Sequence, residues 1–319
     1  MATSIQSPDF LNPDVYLNRL PPEGAHNYEI SRNVTFVFLG LLMWDILVYI
    51  EDDIEIIRRN RIRAPTLCFI FARVFAAAYI LASSIQLTSS VDSQVSLLYG
   101  ALVLCALAIG CSSFLFLRRV QAVYADHKYV QWFFSVLWLV CFACEVFILI
   151  EISPSNIPGT KRFQDTGAKP TFTISIYGVV VFDTCVFLAI SYKLAKTFVA
   201  QRRVINAGRG EDGSDIATPA TMTTWAWWST AISGKALPRL SRAILQGGQQ
   251  YYLFTVVAMI STVIILLIPT VHPIIKGTVV IPLVPLNASM ACRVFRNLKQ
   301  FDHRYGNSVT NTKDLLFSV

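Results

Sequence analysis

Five ionisable side chains stand out within long apolar runs of the sequence, where a charge is costly and therefore a candidate for function. They are Asp45, Arg73, Glu145, Asp183 and Lys276. A carboxylate in such a place could balance a cation or donate a proton. A lysine could bind an aldehyde such as retinal as a Schiff base. These five residues are the polar candidates for a functional site within the apolar part of the chain.

Asp45 and Arg73 are expected to form a structural ion pair. At a rise of 1.5 Å per residue, Asp45 lies about 16 Å along its apolar run and Arg73 about 12 Å from the inner end of the next run. The apolar core of a bilayer is about 30 Å thick, so these two depths are similar. Consecutive elements are usually neighbours in space, which would bring the two charges together.

Lys276 raises the possibility of a retinal protein, but its position does not favour one. The residue lies about one turn into the last apolar run, close to the outer membrane surface, and the third run lacks the aspartate pattern of microbial rhodopsins. A lysine at that depth can extend its charged end to the interface. The sequence therefore predicts no cofactor.

The buried acids Asp45, Glu145 and Asp183 leave two alternatives open. They could be proton donors in a membrane-embedded enzyme, as in small fungal terpene cyclases, or the polar groups of a transporter. The sequence lacks the phosphate-binding, zinc-protease and serine-hydrolase motifs of soluble enzymes, and its four histidines are scattered. We therefore assign no catalytic or metal-binding residue. Whether the protein is an enzyme stays uncertain, and the sequence favours a protein that is not one.

The elements that must position these charges are membrane spans. The chain has 319 residues, of which 54% are apolar and only 15% charged, whereas soluble domains carry about 25% charged residues. Seven apolar runs are long enough to cross a bilayer. They cover residues 34–50, 65–85, 97–117, 130–152, 172–194, 251–269 and 273–292.

The predicted fold class is therefore all-α, a bundle of seven transmembrane helices over residues 34–300. An N-terminal segment, 1–33, precedes it, a large loop covers 195–250, and a tail covers 301–319. The charged segment between the first two spans, EDDIEIIRRNRIR, is expected to extend the first span and fold back, with its own opposed charges pairing.

The distribution of lysine and arginine predicts the orientation. The loops and tail on one side carry 20 of these residues and those on the other side carry 5. Because cytoplasmic loops are enriched in positive charge, the N-terminus is expected outside and the C-terminus in the cytoplasm, in the plasma membrane or another membrane of the secretory pathway. The net charge of +7 then indicates anionic lipid as the partner of the basic side, and not nucleic acid.

Two features of the sequence bear on covalent modification on the outer side of the membrane, by glycosylation or by disulfide formation. Asn33 begins the sequon Asn-Val-Thr and is a possible glycosylation site next to the membrane. All seven cysteines fall within predicted spans, so no extracellular disulfide framework is expected.

Several stretches resemble a family of seven-helix membrane proteins of basidiomycete fungi whose molecular function is undetermined. They are WDILVYIEDDIEIIRRNRIRAPTLCFIFAR (44–73), LRRVQAVYADHKYVQWFFSVLWL (117–139), FDTCVFLAISYKL (182–194), LPRLSRAILQGGQQYYL (237–253) and SMACRVFRNLK (289–299). The resemblance covers most of residues 34–300. It implies a seven-helix fold and transfers no functional residue.

The sequence thus favours a receptor-like or sensor protein over an enzyme or a transporter. The partners expected are the lipid bilayer, a small-molecule ligand and a cytoplasmic effector. The usual marks of rhodopsin-like receptors are missing, because Arg118 and Arg119 at the end of the third span are not preceded by an acid.

Overall fold

A computed structural model of the 319-residue chain describes residues 22–59, 63–88, 94–151, 155–156, 163–164, 176–193, 196 and 239–316. Side chains are described for 22–58, 63–88, 95–147, 176–193, 196 and 253–299. The helices are α1 (Pro22–Val48), α2 (Ile50–Arg59), α3 (Ala64–Thr88), α4 (Gln94–Val123), α5 (Lys128–Glu151), α6 (Ile176–Lys193), α7 (Arg239–Leu267), α8 (Pro273–Val280) and α9 (Leu283–Leu316). Between α5 and α6, strands β1 (Ser155–Asn156) and β2 (Phe163–Gln164) form a two-residue antiparallel pair.

The helices have the length and composition of membrane spans. Within the described ranges, six segments are long and apolar enough to cross a bilayer: Pro22–Val48, Ala64–Thr88, Val95–Val123, Lys128–Phe147, Ile176–Lys193 and Pro273–Lys299. A shorter apolar helix, Leu253–Leu267, forms part of α7. The prediction of a helical, multi-pass membrane protein is confirmed at this level, whereas the count of seven spans and the orientation stay predictions.

Several element boundaries differ from those expected. Helix α1 begins at Pro22, so part of the predicted N-terminal segment 1–33 is helical. Helix α7 begins at Arg239, inside the loop 195–250, where apolar residues at helical spacing predict a short amphipathic helix over 237–250, and that helix is confirmed. Helix α9 continues to Leu316, well into the predicted tail 301–319. Apolar content identifies only the part of a helix that meets lipid, whereas the helices themselves continue past it.

The last predicted span is two helices. Helix α8 ends at Val280 and α9 begins at Leu283, with a turn at Ile281 and Pro282 between them. Proline has no backbone N–H to donate and its ring clashes with the preceding turn. The segment therefore contains an interruption of the helix at Ile281 and Pro282.

Helices α3, α4 and α9 form the centre of the bundle. Half of the residues in the most apolar part of α3, of α4 and of the segment Pro273–Lys299, which contains the first half of α9, are buried, compared with 22% for α1 and 11% for α5. The outer helices expose large apolar side chains: Trp44 on α1 and Trp132, Phe133 and Leu139 on α5 are each more than half exposed. A soluble protein rarely exposes such extended apolar surfaces, so these faces are suited to lipid.

Small residues let the central helices approach closely. Ala76 of α3, Ala108 of α4 and Ala288 of α9 are fully buried in one apolar cluster. Small side chains at such contacts are typical of helix packing in membranes. The hydroxyl groups of Ser84 and Ser112 donate to the carbonyl oxygens one turn earlier, at 2.7 and 2.8 Å, which satisfies them without water.

Candidate functional site

Five charged residues from four helices meet at one end of the bundle. They are Asp45 of α1, Asp53 of α2, Arg73 of α3, and Arg293 and Arg296 of α9, and we call them the charged network. We call the end of the bundle where α1 ends and α3 begins the arginine-rich end. The network contains three arginines and two aspartates, so it carries one net positive charge.

Asp45 binds two arginines. Its Oδ2 accepts a hydrogen bond from Nη2 of Arg73 at 3.2 Å. Its Oδ1 accepts from Nε and Nη2 of Arg293 at 3.0 and 2.6 Å. The side chain is buried, with 6% of its surface exposed. The predicted ion pair between Asp45 and Arg73 is therefore confirmed, while the contact with Arg293 was not foreseen.

Asp53 also binds two arginines, and Arg73 joins the two halves of the network. Nη1 of Arg73 donates to Oδ2 of Asp53, and Nη1 of Arg296 donates to Oδ1 of Asp53 at 3.1 Å. Burial raises the pKa of the Asp53 carboxyl from its ordinary value, while the charges of Arg73 and Arg296 oppose that shift. The contacts form one chain, Arg293–Asp45–Arg73–Asp53–Arg296, that ties α1, α2 and α3 to α9.

The local structure explains why these side chains meet. A turn at Tyr49 separates α1 from α2. On α2, Asp53 and Ile56 are three residues apart and both are buried, while Ile54 between them is exposed. Arg293 and Arg296 are also three residues apart, which places them on one face of α9.

Tyr49 lies between the two arginines of α9. Its ring centroid is 3.9 Å from the guanidinium carbon of Arg296 and 5.4 Å from that of Arg293. Such contacts between cations and aromatic rings are favourable, by about 0.5–2 kcal/mol depending on burial. The aromatic ring therefore adds to the attraction between the α1–α2 turn and α9.

Breaking a buried ion pair by removing one partner costs about 3–5 kcal/mol, because the remaining charge is left without compensation. Arg296 is almost fully buried, with 3% of its side chain exposed, whereas Arg293 is 32% exposed. The network can therefore hold the arginine-rich end in one arrangement. In the part of the chain that is described, no group of three or more histidine, cysteine or acidic side chains could hold a metal ion.

A second feature lies in the other half of the bundle. Residues of six helices, α3, α4, α5, α6, α7 and α9, together with the end of α8, line a cavity of about 90 Å³, which we call the apolar cavity. Its lining is mostly aliphatic, with polar atoms from Tyr79, Cys105, Glu145 and Asn287. Tyr79 lies about 9 Å along α3 from Arg73, and Asn287 lies about 9 Å along α9 from Arg293.

The remaining predicted candidates have separate locations. Glu145 is buried and lines the apolar cavity. Asp183 on α6 is 1% exposed, does not line the cavity, and has no hydrogen-bond partner for either oxygen among the described side chains. Lys276 lies half-buried in the first half of α8 and forms no ion pair with a described residue. Asn33 is exposed on α1.

Three residues of the network were not predicted from the sequence. Asp53 was expected to pair with arginines of its own segment, but it binds Arg73 and Arg296 from other helices. Arg293 and Arg296 were counted only as basic residues of the cytoplasmic side. A signal was present, since Arg293 directly follows an apolar run and Arg296 lies three residues later on the same helical face, but nothing in the sequence shows that α9 lies beside α1 and α2.

All seven cysteines are free thiols. Comparisons of the chain with protein-family models, with curated proteins and with solved structures give no match.

Proposed function

We propose that the protein is a membrane receptor or sensor in which the apolar cavity receives a small, mainly apolar molecule and the charged network holds the resting conformation. The observation that carries the proposal is that one pair of helices, α3 and α9, contributes both to the cavity and to the network. A change in the spacing of these helices at the cavity would act on the ion pairs of the arginine-rich end.

The chemistry of the cavity supports a binding site. Ligand sites are usually apolar, with a few polar groups that orient the ligand. Here Tyr79, Glu145 and Asn287 supply the polar groups within an aliphatic lining. Asn287 is 1% exposed, and neither its oxygen nor its nitrogen has a hydrogen-bond partner among the described residues. A ligand hydroxyl or carbonyl group could satisfy it.

The size of the cavity supports a coupled movement. About 90 Å³ is less than the roughly 150 Å³ of an engineered cavity that binds benzene. A larger ligand must therefore separate the helices that line the cavity as it enters. A ligand shifts a conformational equilibrium only if it binds one of the two states more tightly. A ligand larger than the cavity would bind more tightly to a state in which the lining helices are further apart.

The experiment is a screen of small apolar molecules for thermal stabilisation of the purified full-length protein in detergent. The variant Ala106→Phe fills the cavity, since Ala106 is buried in its lining. The matched control, Val103→Phe, adds a ring on the same helix at a position that is 42% exposed. A ligand of the cavity stabilises the wild type and the control but not Ala106→Phe.

A second measurement covers the case in which Ala106→Phe does not fold. Cys105 lines the cavity, so a bound ligand should slow its modification by a small maleimide when the other cysteines are replaced by alanine. If every stabilising compound acts equally on Ala106→Phe and leaves the modification rate of Cys105 unchanged, the cavity is not the binding site.

A membrane-embedded enzyme or a transporter is the alternative function. The break between α8 and α9 favours a transporter, since interrupted helices are typical of transporter binding sites. For acid chemistry, the cavity offers Glu145 as its only described carboxylate. Consumption of a stabilising compound, or its movement across a proteoliposome membrane, would favour these alternatives over a sensor. Membership of the basidiomycete family stays a prediction.

A further inference from the structure

A second, larger cavity opens at the arginine-rich end, further along α9 than the apolar cavity. It has a volume of about 630 Å³ and lies between the beginning of α3, the last turns of α4 and the middle of α9. Four cationic residues line it: Arg63, Arg118, Arg119 and Lys299. No carboxylate is among its described lining residues. We call it the basic pocket.

We propose that the basic pocket binds a ligand that carries two or more phosphate groups, in the first place the headgroup of an anionic lipid. Four cations around one cavity raise the local concentration of an anion. Basic pockets between membrane helices are suited to phosphorylated lipid headgroups. Arginine, which supplies three of the four cations, donates two parallel hydrogen bonds to a phosphate group.

The beginning of α3 adds to this attraction. Ala64, Pro65 and Thr66, the first residues of α3, line the pocket. The N-terminal end of a helix carries a partial positive charge and stabilises a nearby anion. The carbonyl oxygen of Arg63 accepts hydrogen bonds from the N–H groups of Thr66 and Leu67, at 2.9 and 3.1 Å, which fixes Arg63 next to this helix end.

Arg118 is held in place by a chain of hydrogen bonds that links α4 to α5. Its Nη1 donates to Oε1 of Gln121 at 2.8 Å, and Nε2 of Gln121 donates to Oγ of Ser135 at 3.0 Å. An arginine fixed in this way loses less freedom on binding a ligand. Arg63 and Arg118 are both exposed, and they line the pocket from different elements, Arg63 directly before α3 and Arg118 on α4.

The rest of the lining favours a lipid over a soluble phosphate. Phe114, Phe295 and Leu298 contribute apolar surface next to the cations. A lipid has a matching arrangement, because its charged headgroup is joined to apolar chains. The sequence-based orientation also predicts that this end faces the cytoplasm, where the anionic lipids are concentrated.

The test uses the full-length protein in detergent and a short-chain phosphatidylinositol bisphosphate as the probe. The pocket variant is Arg63→Gln with Arg118→Gln. The matched control is Arg58→Gln with Lys128→Gln, which removes two exposed charges near the same end but outside the pocket. We expect the affinity of the pocket variant to fall by at least roughly tenfold and that of the control to change by less than about twofold.

Two further ligands separate the outcomes. Phosphatidylserine of the same chain length should bind more weakly than the bisphosphate. Soluble inositol trisphosphate shows whether the natural ligand is a lipid or a soluble phosphate. If it binds as tightly as the lipid, the pocket is assigned to a soluble phosphate, and if it binds more weakly, the pocket is assigned to a lipid. Equal losses in the two double variants, or equal affinity for phosphatidylserine, would overturn the proposal. These substitutions leave the apolar cavity unchanged, so failure here is distinguishable from failure of the proposed function.

Discussion

Two buried aspartates within apolar runs of the sequence differ in their hydrogen bonds. Asp45 accepts three hydrogen bonds from two arginines, whereas neither oxygen of Asp183 has a partner among the described side chains. A paired carboxylate contributes to the structure that surrounds it, but a buried polar group without a hydrogen bond costs free energy. Substitution of these two residues should therefore have effects of opposite sign.

Replacing Asp45 by asparagine should strongly destabilise the protein. The substitution keeps the size of the side chain but removes the charge that compensates Arg73 and Arg293. We expect the free energy of unfolding to fall by about 3–5 kcal/mol, measured by denaturant titration in mixed micelles. Glu51→Gln, which neutralises an exposed acid on α2, is the control and should change it by less than about 0.5 kcal/mol. Equal effects of the two substitutions would contradict the assigned role of the network.

Replacing Asp183 by leucine should maintain or raise stability. Leucine has a similar volume and removes a carboxyl group that is 1% exposed. We expect a gain of up to about 1–3 kcal/mol, the typical cost of a buried polar group without a hydrogen bond. The thermal midpoint in detergent gives the answer. A large loss would show that Asp183 has a partner essential to the fold.

The sequence allowed one part of the network to be predicted. Asp45 and Arg73 lie on consecutive spans at similar depth, so depth along the helix was sufficient to pair them. The contacts of Arg293 and Arg296 join residues more than 240 positions apart, and their formation depends on which helices are neighbours. A single sequence does not show which helices are neighbours.

At the level of helices, the contact between α4 and α5 depends on a glycine. A Cβ atom at Gly110 would lie 2.5 Å from Cε2 of Phe142. The ring of Phe142 stacks on Trp138, whose Nε1 donates to the carbonyl oxygen of Gly110 at 3.3 Å. The absence of a side chain at Gly110 therefore lets the two aromatic rings pack against the backbone of α4.

Gly110→Ala and Gly100→Ala form a matched pair on α4. The first should destabilise the protein by about 1–3 kcal/mol, because Phe142 must move. The second should be neutral or stabilising by up to about 1 kcal/mol, because a Cβ atom at Gly100 meets nothing within 4 Å and alanine favours the helix. Thermal midpoints of both variants test the contact. A Gly110→Ala variant as stable as Gly100→Ala would show that α5 packs differently.

Helix positions were more predictable than helix ends. Each apolar run of 17 residues or more overlaps a helix, since a bilayer demands apolar side chains and internally satisfied backbone groups. The extension of α1 back to Pro22 and of α9 to Leu316 lies outside the apolar runs. Those parts of the helices contain polar residues, and apolar content could not reveal them.

At the scale of the whole molecule, the orientation is a prediction that can be tested separately. The 20-to-5 distribution of lysine and arginine places the N-terminus outside the cell and the arginine-rich end in the cytoplasm. Epitope tags at the two termini of the full-length protein, probed in intact and in permeabilised cells, should show the N-terminal tag accessible without permeabilisation. An accessible C-terminal tag in intact cells would reverse the orientation.

The charged network is expected to hold α2 in one arrangement relative to α9 and the rest of the bundle. Spin labels at positions 58 on α2 and 129 on α5, both exposed, report the distance between α2 and the rest of the bundle in a chain whose native cysteines are replaced by alanine. We predict one narrow distance distribution in this background and in its Glu51→Gln variant, and a broad or second distribution after Asp53→Asn. An unchanged narrow distribution in Asp53→Asn would contradict the account.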